Sequence, residues 1–136
     1  MKIPKKTKNK KYHRIKKDSV KFSFRKQNLA YGYWGLKATS TGRITEKQIE
    51  AVRQSLMKKI RPSGKLWIRI FADTPITSKP VGVRMGKGKG SVDFWSYTTS
   101  PGEVLYEISG VSSAIAINAL KLASKKLPVR TKIVTY

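Results

Sequence analysis

The sequence predicts an α+β domain preceded by a basic N-terminal extension, and three observations carry that reading. Two stretches, around residues 45–61 and 112–126, repeat apolar residues every three to four positions, as helices with one buried face do. Others, such as Lys65–Phe71 and Ser91–Thr98, alternate apolar and polar residues, as half-buried strands do. The helical and extended stretches are interspersed without a βαβ rhythm, which favours a mixed or antiparallel sheet packed with two α-helices. The expected division is an extension over 1–28 and a single domain over 29–136.

The extension is a charge block. Residues 1–26 hold Lys2, Lys5, Lys6, Lys8, Lys10, Lys11, Arg14, Lys16, Lys17, Lys21, Arg25 and Lys26 against one acid, Asp18. No apolar period runs through its first half. In water such a block is expected to be mobile, and to order on an anionic partner. From about Leu29 the texture changes, and Ala30–Thr39, aromatic and Gly-rich, is expected to be the first strand.

Thr45, with Gln48 three positions on, has the spacing of a capping box. Ile49, Val52, Leu56 and Ile60 follow as one apolar stripe, and Pro62 and Gly64 stop the helix. Glu46 and Glu50 fall in its first turns, where the helix dipole favours acids, so a structural role is preferred to a catalytic carboxylate pair. In the next strand Leu66, Ile68 and Ile70 share one face and Lys65, Trp67 and Arg69 the other. Pro75 and Pro80 bracket an expected turn, and Val81–Arg84 an extended segment. After the Gly-Lys run discussed below come the Ser91–Thr98 strand, a turn at Pro101-Gly102, and a strand over Glu103–Ile108. The second helix is expected to bury Ile115, Ala119 and Leu122, with Ala116 and Ala123 allowing close approach to the sheet. Val129–Thr135 is the last expected strand.

Composition narrows the function. Of 136 residues, 30 are Lys or Arg and 7 are Asp or Glu, a formal net charge of +23. Self-repulsion at that density destabilises a compact state unless a polyanion neutralises it. Yet 39% of residues are hydrophobic, enough for one core. With no cysteine and a single histidine, His13, neither a nucleophilic triad nor a metal cluster can be assembled convincingly. The absence of cysteine suits a reducing compartment. Ala114–Ala123 is too short to span a bilayer, and MKIPKKTKNKK lacks the apolar core of a signal peptide, so the chain is expected to be complete as written.

Arg84-Met85-Gly86-Lys87-Gly88-Lys89-Gly90 is the most unusual feature. Alternate glycines let a backbone approach a surface closely, and N–H groups and lysines can then face phosphate oxygens. Arg84 adds a planar fork. A P-loop is excluded because Gly-Lys-Ser and Gly-Lys-Thr are absent. A dinucleotide fingerprint needs GxGxxG opening a helix, whereas this run is GxGxG before an expected strand. The bland alternative is a flexible hairpin loop with solubilising lysines. Trp67, beside two cations, can stack on a base or pack at the sheet edge.

Gly64-Lys65-Leu66-Trp67-Ile68-Arg69-Ile70-Phe71, Pro75-Ile76-Thr77, Lys79-Pro80 and the Arg84–Gly90 run together resemble the bacterial and organellar family of large-subunit ribosomal protein number sixteen. Gly42-Arg43-Ile44-Thr45, Gln48-Ile49-Glu50-Ala51, Val104-Leu105-Tyr106-Glu107, Gly110-Val111 and Lys126-Leu127-Pro128 extend the resemblance. It covers nearly everything from Leu36 onward; Pro4–Lys8 looks like the family's opening, and residues 15–30 diverge. The resemblance implies a structural ribonucleoprotein constituent with no cofactor and no catalysis, lodged in large-subunit rRNA near the aminoacyl-tRNA site and the peptidyl transferase centre. Its partners would be that rRNA, the aminoacyl-site tRNA and neighbouring ribosomal proteins, not a membrane. The RNA-facing candidates are Lys5, Lys6, Lys8, Lys10, Lys11 and Arg14 in the tail, Trp67 and Arg69 on the strand, and Arg84, Met85, Gly86, Lys87, Gly88, Lys89 and Gly90 in the loop. Ala72 and Ser112 stand where bacterial and plastid members commonly carry proline. Together with the lysine bias, this suggests a mitochondrial, organelle-encoded member, with a bacterial cytoplasm or a plastid as the alternative. Two rival classes remain, a free nucleic-acid-binding regulator and a peripheral membrane or polyanion binder.

Overall fold

A computed structural model describes residues 3–13 and 26–136. Its elements run β1 (Trp34–Ala38), β2 (Gly42–Thr45), α1 (Glu46–Ile60), β3 (Lys65–Ile68), β4 (Thr74–Ser78), β5 (Ser91–Thr99), β6 (Val104–Ser109), α2 (Ser113–Ser124) and β7 (Thr131–Thr135). Two antiparallel sheets result, one ordered β3-β6-β1-β7 and a smaller one ordered β2-β5-β4. With two helices packed on them, this is an α+β fold.

β6 is the structural centre. Val104, Leu105, Tyr106, Glu107 and Ile108 are all buried, because the strand has neighbours at both edges and cover on both faces. On one face lies α1, and the Tyr106 hydroxyl donates to the Ile49 carbonyl at 3.3 Å. The other face is covered by residues 26–32, ahead of β1. A Cβ on Gly35 would meet Leu29 Cδ2 at 2.4 Å, so that segment lies close upon the sheet.

α1 forms as the sequence predicts. Gln48 N–H donates to Thr45 Oγ1 (3.2 Å), and Thr45 N–H donates to Gln48 Oε1 (2.9 Å), closing the capping box. Val52, Leu56 and Ile60 are buried in the core, and Ile49 packs against it.

Three expectations are corrected, and one strand was missed. The first strand begins at Trp34, not Ala30, because the N–H groups of Ala30, Tyr31 and Gly32 donate to a side chain rather than to a sheet ladder. Gly42–Thr45 is a strand that the helix-start signal at Thr45 obscured. Thr74–Ser78 is a strand rather than a turn; β4 bonds only to β5, and an edge strand tolerates Pro75. Val81–Arg84 is then an exposed loop rather than an extended segment.

The inner stripe of α2 is also rotated from its expected position. Ala116, Ala119, Leu120 and Ala123 are buried, while Ile115 and Leu122 are 47% and 40% exposed. Alanines let α2 come close to α1 and the sheet, and the larger side chains move to the rim. There they form a shallow groove with Lys59, Asn118 and Lys121.

Candidate nucleic-acid interface

β4 and β5 form a hairpin, and their Ser78–Ser91 pairing leaves residues 79–90 as its loop. The Gly-Lys run is therefore a hairpin loop, as its glycines suggest. Gly90 sits where the strands converge, and a Cβ there would stand 2.1 Å from the Ser78 carbonyl oxygen. At Gly88 the reason for glycine is different. Its φ is +79° with open space around it, so conformation and not packing demands it. Lys87 shares the left-handed region at φ 54°. The Lys79 ammonium donates to the Gly86 carbonyl at 2.7 Å and folds the loop back on itself.

The loop projects into solvent. Arg84 is exposed and hydrogen-bonds to none of the described residues. Met85 is 95% exposed, and Val81 and Val83 stand out beside it.

The tail lies against this loop. Lys11 Nζ donates to the Lys89 carbonyl at 2.9 Å, and Lys89 Nζ donates to the Tyr12 carbonyl. Lys5, Lys6, Lys8, Lys10 and Lys11 are all exposed. Contacts through Lys11, Tyr12 and Lys89 thus bring the tail lysines, Lys5, Lys6, Lys8, Lys10 and Lys11, beside the loop lysines Lys87 and Lys89 as one arm. No acid is bonded to them among the described residues. Arg14 lies outside the described residues, as do Lys2, Lys16, Lys17, Lys21 and Arg25.

Trp67 and Arg69 are elsewhere, Trp67 on β3 at the edge of the other sheet and Arg69 just past the strand's end. Arg69 is already engaged: its Nη1 donates to Glu107 Oε1 and to the Asn28 carbonyl (3.3 Å), and its side chain is only 17% exposed. Trp67 is half-buried and stacks on Tyr31, with ring centroids 6.1 Å apart and planes 18° apart.

Glu107 is the residue that sequence reasoning passed over. Its carboxylate is fully buried and accepts N–H bonds from Ala30 (3.1 Å), Tyr31 (2.7 Å) and Gly32 (2.9 Å) besides the Arg69 guanidinium. Burial alone would push its pKa up, but the bonds from Tyr31, Arg69, Gly32 and Ala30 outweigh this and hold it below the ordinary value. Glu103 performs a similar task at the start of β6. Lys26 Nζ reaches Glu103 Oε1 at 2.9 Å and the Tyr97 hydroxyl at 3.0 Å, and Val104 N–H donates to the Lys26 carbonyl at 2.9 Å. The Tyr97 bond, against a smaller opposing effect of burial and with help from Glu103, raises the Lys26 pKa. Burial first, then the bond to Glu103, pushes Tyr97 up to about 12. Two of the few acids in the chain therefore fasten residues 26–32 to the sheet. The available signal was an acid inside the apolar run Val104–Ile108, which is costly unless paired.

Glu50, expected to serve the helix rather than catalysis, accepts from Nε and Nη2 of Arg53 at 3.0 and 2.7 Å and from Gln54.

Among the described residues the tail and loop lysines are bonded to no acid, while Glu103 and Glu107 hold the segment ahead of β1, and a chain of net charge +23 arranged in this way suits a polyanionic partner. Comparison with known proteins makes this specific. The family described as ribosomal protein L16p/L10e matches residues 4–134, so the match includes most of the tail as well as the domain. The chain is similar to the protein named large ribosomal subunit protein uL16 in Blochmanniella pennsylvanica, 47% identical over 131 residues, 96% of each chain. It is 48% identical over 132 residues to that of Buchnera aphidicola, covering 97% of this chain and 95% of the relative. With that of Psychrobacter arcticus the identity is 47% over 131 residues, 96% and 94%. The chain belongs to the ribosomal protein L16p/L10e family, and as such is a structural ribosomal protein and not an enzyme.

Proposed function

We propose that the chain is a constituent of the large ribosomal subunit that binds large-subunit rRNA near the aminoacyl-tRNA site and the peptidyl transferase centre and supports tRNA positioning. The observation that carries this is the paired arm, with Lys11 donating to the Lys89 backbone and Lys89 donating back to that of Tyr12. Cations that share carbonyls rather than carboxylates keep their full charge for an outside anion. The exposed Arg84, Met85 and Lys87, with Gly86, Gly88 and Gly90, would then be the tip that meets RNA, while Lys5, Lys6, Lys8, Lys10, Lys11 and Arg14 run along phosphates. Of the extension over 1–28, the part before Lys26 would follow RNA, since Lys26–Asn28 is held to the sheet of the 29–136 domain; rRNA, the aminoacyl-site tRNA and neighbouring ribosomal proteins are the partners.

Arm binding should be dominated by counterion release. If it neutralises roughly 6–10 phosphates, affinity for rRNA should fall by about 10³–10⁵ between roughly 50 and 200 mM salt. A flat salt titration would remove the reading. Sedimentation of the native protein separates it from the two rivals, since a regulator stays free and a membrane binder pellets with vesicles.

For the compartment, Ala72 and Ser112 support a mitochondrial ribosome. The bacterial relatives support a bacterial one. Fractionating source cells and locating the protein by immunoblot decides between them.

A further inference from the structure

Tyr31 has no part in the cationic arm, yet the residue is 63% exposed while its ring is in contact with two neighbours. Trp67 stacks on it, and the Arg69 guanidinium carbon lies 5.6 Å from its centroid. Trp67 is on β3 and Arg69 lies one residue past its end, where its N–H still donates to the Leu105 carbonyl at 2.9 Å, so the two side chains fall on one face of the extended backbone. Both side chains lie against the Tyr31 ring, and the residue still keeps most of its surface exposed. The backbone below is equally constrained, since Glu107 accepts the N–H groups of Ala30, Tyr31 and Gly32. A large aromatic surface is thus held open in a fixed orientation, and binding to it would require little further ordering.

We infer that the outer face of Tyr31 is a stacking platform for one unpaired nucleobase of the RNA. The inference rests on the RNA-binding reading above and assigns part of the contact to a second place, on the other sheet from the arm. Three features favour a nucleotide. A flat ring backed by a second ring and a guanidinium is the surface on which splayed-out bases stack. The cation nearest the ring, Arg69, is already matched by Glu107, so the platform attracts a π-face and not a phosphate. Lys65, exposed and two positions before Trp67 on the same face, stands roughly 7 Å along the strand, within reach of the phosphate attached to a base lying on Tyr31. Paired RNA cannot offer such a base, so the ligand is an unpaired nucleotide from a loop or bulge.

Stacking and counterion release respond differently to salt, which gives the test. Full-length chain is titrated with deproteinised large-subunit rRNA at several salt concentrations, and unpaired bases are probed by chemical modification. Tyr31→Ala should weaken binding by roughly 5- to 150-fold, the range found for loss of one stacked base, with the salt slope unchanged. One unpaired base protected by the wild type should become reactive. Tyr31→Phe should restore both affinity and protection, which also shows that the hydroxyl is not required. Lys65→Ala should reduce the slope and leave the protection. If the wild type binds with a steep slope but Tyr31→Ala matches it in affinity and footprint, the platform is overturned, and the face belongs to another protein or to water. If the wild type itself shows no salt-dependent binding, the RNA reading fails and takes this inference with it.

Discussion

Replacing Glu107 by Ala should detach residues 26–32 from the sheet, and the structure sets the size of the effect. The substitution strips one buried carboxylate from three backbone N–H groups and a guanidinium. Removing one partner of a buried ion pair generally costs about 3–5 kcal/mol, because the other is left uncompensated. Here the lower end applies. Arg69 keeps the Asn28 carbonyl, and Ala30 and Tyr31 lie at the surface where their N–H groups can rehydrate; only Gly32 is buried. We expect a loss of about 3 kcal/mol, or roughly 10 °C in Tm for a chain of this length. Urea unfolding of the full chain, followed by far-UV circular dichroism, measures it, and near-UV signals should report loosening of the Tyr31–Trp67 stack. Glu107→Gln keeps an acceptor and should lose less. The pH dependence has a fixed sign. The folded pKa lies below the ordinary 4.5, so Glu107's stabilisation is complete above that value and is lost as pH falls through the folded pKa. The acid limb of the stability curve should therefore be shallower in Glu107→Gln than in the wild type. A loss under about 1 kcal/mol in Glu107→Ala, well below the cost of an uncompensated buried charge, would refute the fastening role.

Thr45→Ala opens the capping box of α1 and should cost about 1 kcal/mol in the same unfolding assay. Gly90→Ala forces the converging strands apart at the Ser78 carbonyl and should alter amide chemical shifts of β4 and β5 while leaving the β6 core intact. Gly88→Val must adopt φ near +79°, so it should weaken rRNA binding more than Lys87→Ala or Lys89→Ala, each of which removes a screened contact. Lys11→Ala combined with Lys89→Ala should lower the salt slope by about two phosphate contacts' worth, roughly 1.4–1.8 units.

What was legible in the sequence follows from what is local. The α1 cap and its Val52–Leu56–Ile60 stripe depend on near neighbours along the chain and are where their pattern places them; β5 falls where expected, but its alternation breaks after Phe94 and its buried residues are Ser96 and Thr99. The Gly-Lys loop was legible for the same reason, since alternate glycines admit few other uses. Long-range pairing was not. Nothing local to Ala30–Gly32 says that their N–H groups will meet Glu107, 75 to 77 positions away. Arg69 looked like an RNA-facing cation because its acid partner is 38 positions distant. β4 was obscured by Pro75, whose cost vanishes only once the strand is known to be an edge. On α2 the expected burial of Ala119 and the close packing of Ala116 and Ala123 were right, but size and hydropathy wrongly favoured Ile115 and Leu122, which stand at the rim while Leu120 is buried instead. That tail and loop lie together, through Lys11 and Lys89, has no counterpart in any local pattern.

The central claim is that the arm of tail and loop acts at the aminoacyl-tRNA site and does more than anchor the protein. The most direct measurement reconstitutes large subunits with wild-type chain, Arg84→Ala, or Lys87→Ala with Lys89→Ala. It then records protein occupancy alongside aminoacyl-tRNA binding and peptide-bond formation. The account predicts that activity per occupied subunit falls in the loop variants, with Arg84→Ala falling furthest. Loop variants that lose occupancy yet keep full activity per occupied subunit would contradict it.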